Sequence, residues 1–147
     1  MTLELRAVAW EHPDAARMRA AQEAEVAARY ADLPGEEPGP RPTADDMAAF
    51  VVAYADGEPV GCGGLRALDA THGEIKRMFV VPGRRGSGIS TAILRHLEAE
   101  ARRRGWDRLV LETGVRQPEA MRLYEREGYV PVPAFGYYID SPESRWS

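Results

Sequence analysis

The sequence passes from strand-like alternation to helical periodicity through one glycine-rich turn, and this junction constrains the fold most. Glu74 to Val81 is predicted as a β-strand, which the breakers Pro82 and Gly83 end. From Gly86 to Arg104 the apolar residues fall on one helical stripe. A strand that leads directly into an amphipathic helix predicts a layered domain of the α/β class.

The same turn carries the first chemical signal. Glycines at positions 86 and 88 allow a tight turn and leave main-chain N–H groups uncovered at the positive end of the following helix. Such a turn can hold phosphate, and Arg84 and Arg85 could add charge-assisted hydrogen bonds. It has neither the lysine of a P-loop nor the glycine spacing of a dinucleotide fold. A tight turn that binds nothing is the alternative.

Further strands and helices are predicted on both sides of this junction. Alternating apolar residues around the turn Asp56-Gly57 indicate a hairpin, and a loop rich in proline and glycine runs from Asp32 to Pro42. The other predicted elements are strands at Leu3 to Trp10, at Arg108 to Thr113 and within Tyr129 to Ile139, and helices at Pro13 to Ala31 and Pro118 to Glu127. Because there is no internal repeat and no linker, we expect one mixed α/β domain over residues 1–147.

Composition argues against several classes of function. The 19 basic and 23 acidic residues give a net charge of −4, which disfavours nucleic acid as a partner. No apolar run approaches the roughly 18 residues of a membrane helix, and Met1 to Trp10 lacks the pattern of a signal peptide. We therefore expect a cytoplasmic protein with no membrane partner. No metal is expected either, because no metal-ligand spacing connects Cys62, His12, His72 and His96.

Two separate motifs resemble those of the GNAT superfamily of N-acetyltransferases, which use acetyl-CoA. Arg85-Gly86-Ser87-Gly88-Ile89-Ser90 resembles the family pattern R/Q-x-x-G-x-G/A, with a serine at its last position. Residues 117–129, which begin at Gln117 and include Tyr124, resemble the second family segment, N-x-x-A-x-x-L-Y-x-x-x-G-F/Y, with glutamine in place of asparagine. Glu74 to Val80 and Leu111 to Gly114 are also similar to family segments.

The resemblance implies the GNAT fold: a single mixed, mostly antiparallel sheet with helices on both faces and a splayed central strand pair. Acetyl-CoA would be the cosubstrate, with its pantetheine arm beside the strand that ends at Val81 and its pyrophosphate on the amides of Arg85 to Ile89. The coenzyme-binding residues implied in this way are Phe79, Val80, Val81, Arg84, Arg85, Gly86, Ser87, Gly88, Ile89, Ser90 and Gln117.

The resemblance also implies direct attack of a neutral primary amine on the thioester in a ternary complex. Tyr124 would protonate the departing CoA thiolate, and its alternative role is packing in the core. Glu74 resembles the glutamate that some relatives use as a general base through a water, and a solvated strand-end carboxylate is an equal alternative. Glu112 on the neighbouring strand is a second candidate base, more in keeping with a structural role. No covalent acyl-enzyme is implied, because Cys62 has no visible base.

Strict alternation along the central strand predicts its two faces. One face would carry Glu74, Lys76 and Met78, and the other would carry Ile75, Arg77 and Phe79. Alternation alone leaves open which of the two faces meets the substrate.

Three questions about partners stay open at this level. A second class of function is a catalytically silent module that binds an acyl-CoA as a sensor or scaffold. The acceptor is either a small-molecule amine or a protein amine, and Glu36, Glu37 and Glu74 favour a cationic one. The apolar stretch Phe135 to Tyr138 is a candidate surface for a homodimer.

Overall fold

The structure, a computed structural model, describes residues 2–29, 31, 47–112, 118–132 and 136–140. This part of the chain forms seven strands and three α-helices. The strands are β1 (Leu3–Ala7), β2 (Met47–Ala55), β3 (Glu58–Ala67), β4 (His72–Val80), β5 (Arg108–Glu112), β6 (Val130–Val132) and β7 (Gly136–Asp140). The helices are α1 (Pro13–Arg29), α2 (Ile89–Arg103) and α3 (Pro118–Arg126), and a 3-10 turn spans Pro82–Arg84. The predicted loop from Asp32 to Pro42 lies outside the described residues.

All seven strands form one mixed sheet in the order β1-β2-β3-β4-β5-β7-β6. Neighbouring strands are antiparallel except β4 and β5, which are parallel. The pairing of β4 with β5 extends only from His72 opposite Arg108 to Glu74 opposite Val110. Past that point the described residues of these two strands no longer pair with each other. The predicted splay of the central strands, and the predicted fold class, are therefore confirmed.

Helices cover both faces of the sheet. On one face, Ala15 and Met18 of α1 pack with apolar residues of the strands, namely Phe50, Val52, Tyr54, Cys62 and Phe79. On the other face, α2 and α3 bury a larger core that includes Ile93, Leu97 and Tyr124. We call these faces the α1 side and the α2 side. No helix in the described residues is both long and apolar enough to cross a membrane.

Glycines in β3 let α2 lie close against the sheet. A Cβ atom on Gly63 would stand 2.8 Å from Ile93 Cγ2 and 2.8 Å from Met78 Sδ. A Cβ on Gly61 would stand 3.0 Å from Ile93 Cδ1. This close approach brings the beginning of α2 down beside the end of β4, where the candidate site lies.

Gly63→Ala should therefore lower the free energy of unfolding by about 1–3 kcal/mol, the usual cost of overpacking a dense core. Gly83→Ala is the matched control, since a Cβ there would meet nothing within 4 Å. It should change the free energy by less than about 0.5 kcal/mol. Urea unfolding followed by circular dichroism measures both. Equal stabilities of the two variants would contradict the close approach of α2.

The end of α3 is tied to α2 by a buried carboxylate that the sequence analysis did not single out. Glu98 is 0% exposed, accepts a hydrogen bond from the Tyr129 hydroxyl at 2.8 Å, and accepts another from Arg95 at 2.9 Å. Arg95 also pairs with Glu127. These contacts hold the segment after α3 against α2 and so help to set the position of Tyr124.

Two predictions are corrected. The second helix begins at Ile89 and not at Gly86, because Gly86 and Gly88 have φ angles of 83° and 84°, outside the right-handed helical range. In the candidate dimer surface, Tyr137 is only 2% exposed and belongs to the α2-side core. Strand alternation sends Tyr137 inward and leaves Tyr138 partly exposed on the other face, while Phe135 lies outside the described residues.

Candidate active site

The main chain of Val80 faces the gap between β4 and β5. The N–H of Val81 donates to the Val60 carbonyl of β3 at 2.9 Å. The Phe79 carbonyl also lies toward β3, 2.8 Å from the place of a Cβ on Gly61. Because successive strand residues direct their main-chain groups to opposite edges, the N–H and C=O of Val80 point to the gap. Among Phe79, Val80 and Val81, the predicted partners of the pantetheine arm, Val80 is therefore the one placed to pair across it.

A β-bulge at Arg77 reverses the predicted faces of Met78 and Phe79 in β4. Its φ is 62°, and the register between β3 and β4 shifts beside it. The extra residue interrupts the alternation, so that Met78 packs with Ile75 on the α2 side and Phe79 lies on the α1 side. The prediction that Met78 shares the face of Glu74, with Phe79 on the opposite face, is wrong for this reason.

The bulge is held in place by α1 and β3. The Arg77 guanidinium donates to Gln22 Oε1 at 3.1 Å and lies 2.9 Å from Glu23 Oε1. The Arg77 carbonyl accepts a hydrogen bond from the Cys62 thiol at 3.1 Å. These contacts stabilise a backbone conformation that residues other than glycine seldom adopt. They also dock α1 against β4 beside the gap, and no local sequence pattern pairs these residues.

The turn after β4 presents open amide groups at the beginning of α2. Gly88 is the N-cap and supplies no side-chain cap, and the Ala92 N–H closes the first helical turn on the Gly88 carbonyl at 3.1 Å. The N–H groups of Ile89, Ser90 and Thr91 therefore have no partner further back in the helix. A Cβ on Gly86 or Gly88 would meet nothing within 4 Å, so the space above the turn is open. These donors suit a pyrophosphate group.

Arg85, predicted to contact the phosphates, is engaged with the protein itself. Its Nε donates to the Val80 carbonyl at 2.9 Å, and its Nη2 lies 2.7 Å and 2.8 Å from the two carboxylate oxygens of Glu25 in α1. Its main-chain N–H donates to the Pro82 carbonyl at 3.4 Å. The main-chain N–H groups that are available to a ligand thus begin at Gly86. Arg85 connects α1 to the end of β4 and positions the turn.

A pair of variants separates positioning by Arg85 from direct phosphate binding. If the ion pair with Glu25 positions the turn, Arg85→Gln and Glu25→Gln should each raise KM for acetyl-CoA about threefold to tenfold. The double variant should then be little worse than either single variant, because the two residues act as one unit. If Arg85 instead binds phosphate, Glu25→Gln should lower KM by freeing the guanidinium. Steady-state kinetics on the four proteins distinguishes the two cases.

Tyr124 is buried at the level where the gap begins. Its ring is 4% exposed and lies 5.5 Å from the Tyr129 ring and 5.9 Å from the Tyr137 ring, measured between centroids. Tyr137 is opposite Leu111, one residue past the last pair between β4 and β5. Burial raises the pKa of Tyr124 well above its ordinary value, so its hydroxyl keeps its proton. Within the described chain, that hydroxyl has no hydrogen-bond partner.

Glu74 lies on the opposite, α1 side of the sheet and is not a solvated carboxylate. It is 6% exposed, and it is the last residue of β4 that pairs with β5. One of its oxygens accepts a hydrogen bond from Arg66 Nη2 at 2.5 Å, and the other lies 3.8 Å from Lys76 Nζ. Arg66 is directly opposite Glu74 in the antiparallel register, and this cross-strand partner was not identified from the sequence.

Cys62 is a core residue. It is 0% exposed, and burial raises the pKa of its thiol to about 12. We therefore expect the native protein to react with less than about a tenth of an equivalent of Ellman's reagent at pH 8 within minutes, because the thiolate is the reactive form. The unfolded chain should release one equivalent, matching its single cysteine. Fast reaction of the native protein would contradict the burial of this thiol.

Several predicted residues fall outside what the structure describes: Gln117, Glu36, Glu37 and the side chain of Glu112. In the described ranges, no three His, Cys, Asp or Glu residues come together in a way that could hold a metal ion.

Known proteins resemble the chain over most of this architecture. The model of the acetyltransferase (GNAT) family matches residues 8–129. An IAA acetyltransferase of Azospirillum brasilense is 43% identical over 97 residues, which are 65% of this chain and 63% of that protein. An N-acetyltransferase of Bacillus subtilis, YsnE, is 38% identical over 97 residues, with 65% and 64% of the two chains covered. The chain thus spans slightly less than two thirds of the length of these relatives.

Solved structures share the fold. A protein of Klebsiella pneumoniae described as an acyl-CoA N-acyltransferase superposes with a TM-score of 0.78 at 27% identity, over 95% of this chain and 98% of that one. The PaiA N-acetyltransferase of Thermoplasma acidophilum, solved in complex with coenzyme A, superposes with a TM-score of 0.72 over 95% and 99% of the two chains. Its identity is 17%, so this second likeness concerns the fold alone.

Proposed function

This chain belongs to the GNAT family of acetyltransferases, and we propose that it transfers an acetyl group from acetyl-CoA to a primary amine by direct attack in a ternary complex. The observation that carries the proposal is the gap between β4 and β5, which leads from the main-chain N–H of Val80 to the open amides after Gly86, while the Val80 carbonyl accepts a hydrogen bond from Arg85. A pantetheine arm has amide groups that can pair with such an edge as an added strand would. A pyrophosphate suits the amides at the beginning of α2.

Glu74 and Tyr124 are proposed to act from opposite faces of the sheet. The amine nitrogen bonds to the acetyl carbon, the C–S bond breaks, and the electron pair leaves with the sulfur. The proton that the amine loses would pass through a water to Glu74 on the α1 side. The sulfur would take its proton from Tyr124 on the α2 side. A main-chain N–H on the gap edge of β4 would stabilise the oxyanion.

Thiol release in the presence of amines tests this function. The protein should bind CoA in isothermal titration, and it should release CoA thiol from acetyl-CoA only when an amine is present. Ellman's reagent can follow the release, because the buried Cys62 should contribute little background. A protein that binds acetyl-CoA yet releases no thiol with any amine between pH 7 and 9 would be the silent binding module instead.

Two further proposals concern the protein in the cell. We propose a cytoplasmic location and a homodimer. Since Tyr137 is buried within the protomer, a dimer contact at this place would use other residues. Light scattering coupled to size-exclusion chromatography measures the oligomeric state.

A further inference from the structure

Arg66, Glu74 and Lys76 form a charged cluster at the closed end of the gap, on the α1 side of the sheet. Arg66 holds one oxygen of Glu74 at 2.5 Å, and Lys76 Nζ lies 3.8 Å from the other. The side chain of Glu74 is 8% exposed, whereas those of Arg66 and Lys76 are each 27% exposed. Solvent and small molecules therefore reach the two cations more readily than the carboxylate.

The cluster has an excess of positive charge. Two cationic side chains share one carboxylate, and the contact of Lys76 with it is longer than a hydrogen bond. The Nε of Arg66 is buried and has no hydrogen-bond partner among the residues that the structure describes. A buried donor without an acceptor costs free energy, which a small shift of the guanidinium onto an anionic ligand would recover. An anion bound here would also offset the excess charge.

The cluster adjoins an open strip of the sheet. Arg66 is opposite Glu74, Glu74 is opposite Val110, and Val110 is opposite Tyr138, so the four residues form one row across four strands. Leu109, Leu111, Tyr137 and Ile139 pack on the α2 side, and alternation therefore puts Val110 and Tyr138 on the α1 side with Glu74. Both are partly exposed. The row thus provides a floor beside the gap, with Arg66 and Glu74 at one end and, at the other, the Tyr138 ring, whose centroid lies 4.6 Å from the Arg108 guanidinium carbon.

We propose that the acetyl acceptor is a small amine that also carries a carboxylate or phosphonate group, and that Arg66 and Lys76 bind this anionic group. This inference rests on the proposed function. Lys76 stands two residues past Glu74, the last residue of β4 that pairs with β5, so it lies beside the gap. An anion held by Lys76 therefore leaves the amine of a short acceptor close to the gap. The cationic acceptor expected from the acidic residues is disfavoured here, because Arg66 and Lys76 offset the charge of Glu74.

Matched acceptor pairs test the proposal. Alanine, β-alanine and aminomethylphosphonate are each compared with an uncharged analogue: alaninamide, β-alaninamide and the dimethyl ester of the phosphonate. Rates are compared at equal concentrations of unprotonated amine, so that the different amine pKa values do not enter. The best anionic acceptor should have a kcat/KM at least about tenfold above that of its uncharged partner. The carboxylate and phosphonate arms show which anion fits.

Lys76→Met should reduce this preference, measured as the ratio of kcat/KM between an anionic acceptor and its uncharged partner, at least about fivefold, and KM for acetyl-CoA should stay within twofold. Arg103→Gln, which removes one positive charge from the end of α2, is the control and should keep the preference. Arg66→Lys retains a charge for Glu74 and should weaken anionic acceptors without unfolding the protein, as thermal unfolding will show.

The outcomes separate the two proposals. Transfer to uncharged or cationic amines in preference to the anionic ones would overturn this inference and leave the proposed function standing. An equal loss of kcat/KM with anionic and uncharged acceptors in Lys76→Met would also overturn this inference and leave the proposed function standing. If acetyl-CoA binds and no amine is acetylated, the proposed function fails and this inference fails with it.

Discussion

Gly86→Glu should weaken the binding of CoA at least about 100-fold, to the point where isothermal titration detects no heat. A side chain at this position would project into open space, since a Cβ meets nothing within 4 Å, so the carboxylate would stand where the pyrophosphate is proposed to bind. Two negative groups a few ångströms apart repel each other, and the carboxylate would also occupy the space that the pyrophosphate needs. The φ of 83° at Gly86 adds strain of about 1–2 kcal/mol for any residue other than glycine.

Two controls separate charge from strain. Gly86→Ala carries the same strain without the charge and should weaken CoA binding no more than about tenfold. Gly83→Glu carries the same charge three residues earlier, at a glycine that also has open space and lacks a positive φ. It should retain most of the affinity. If Gly86→Ala loses as much affinity as Gly86→Glu, backbone conformation and not charge accounts for the effect, and the position of the pyrophosphate is left without support.

Tyr124→Phe should lower kcat at least about tenfold, with little change in the affinity for acetyl-CoA. The hydroxyl has no hydrogen-bond partner in the described chain, so its removal should change the free energy of unfolding by no more than about 1 kcal/mol. Its raised pKa keeps the phenol protonated at neutral pH, so the hydroxyl can donate a hydrogen bond to the departing thiolate. Because the pKa of a thiol is about 8.5, the thiolate is already a fair leaving group. The loss of kcat should therefore be smaller than for a reaction in which an alkoxide leaves. The acid limb of the pH profile should be retained, because it belongs to the base or the amine.

Tyr137→Phe is the matched control for this change. Its ring is a neighbour of Tyr124, but its hydroxyl donates to Glu125 at 2.9 Å and has no role in the proposed transfer. We expect wild-type kcat from this variant. Stopped-flow measurement of thiol release, with thermal unfolding alongside, compares the two proteins. Wild-type kcat in Tyr124→Phe would remove this residue from the mechanism and leave transfer to positioning and the oxyanion donor.

Structural features that depend on short stretches of sequence were predictable. The hairpin around Asp56-Gly57 and the glycine turn at 86 and 88 appear where local pattern places them, and the strand predicted over Glu74 to Val81 is β4, which spans His72–Val80. Residues close in sequence determine these features, through side-chain periodicity and the φ values that glycine permits. The order of strands and helices and the family resemblance followed from the same local signals.

The partners of the site residues were decided by the tertiary structure. Arg85 contacts Glu25 and Arg77 contacts Glu23, and helix α1 brings these carboxylates to β4 from far away in the chain. Alternation failed at Arg77, because a bulge depends on how β3 pairs with β4 and not on the residues of β4 alone. The sequence by itself thus determined the elements, the glycine turn at 86 and 88 and the candidate pair Glu74 and Tyr124. Only packing decided which faces these side chains occupy and which charges surround them, because strand register and helix docking are set by contacts between residues distant in sequence.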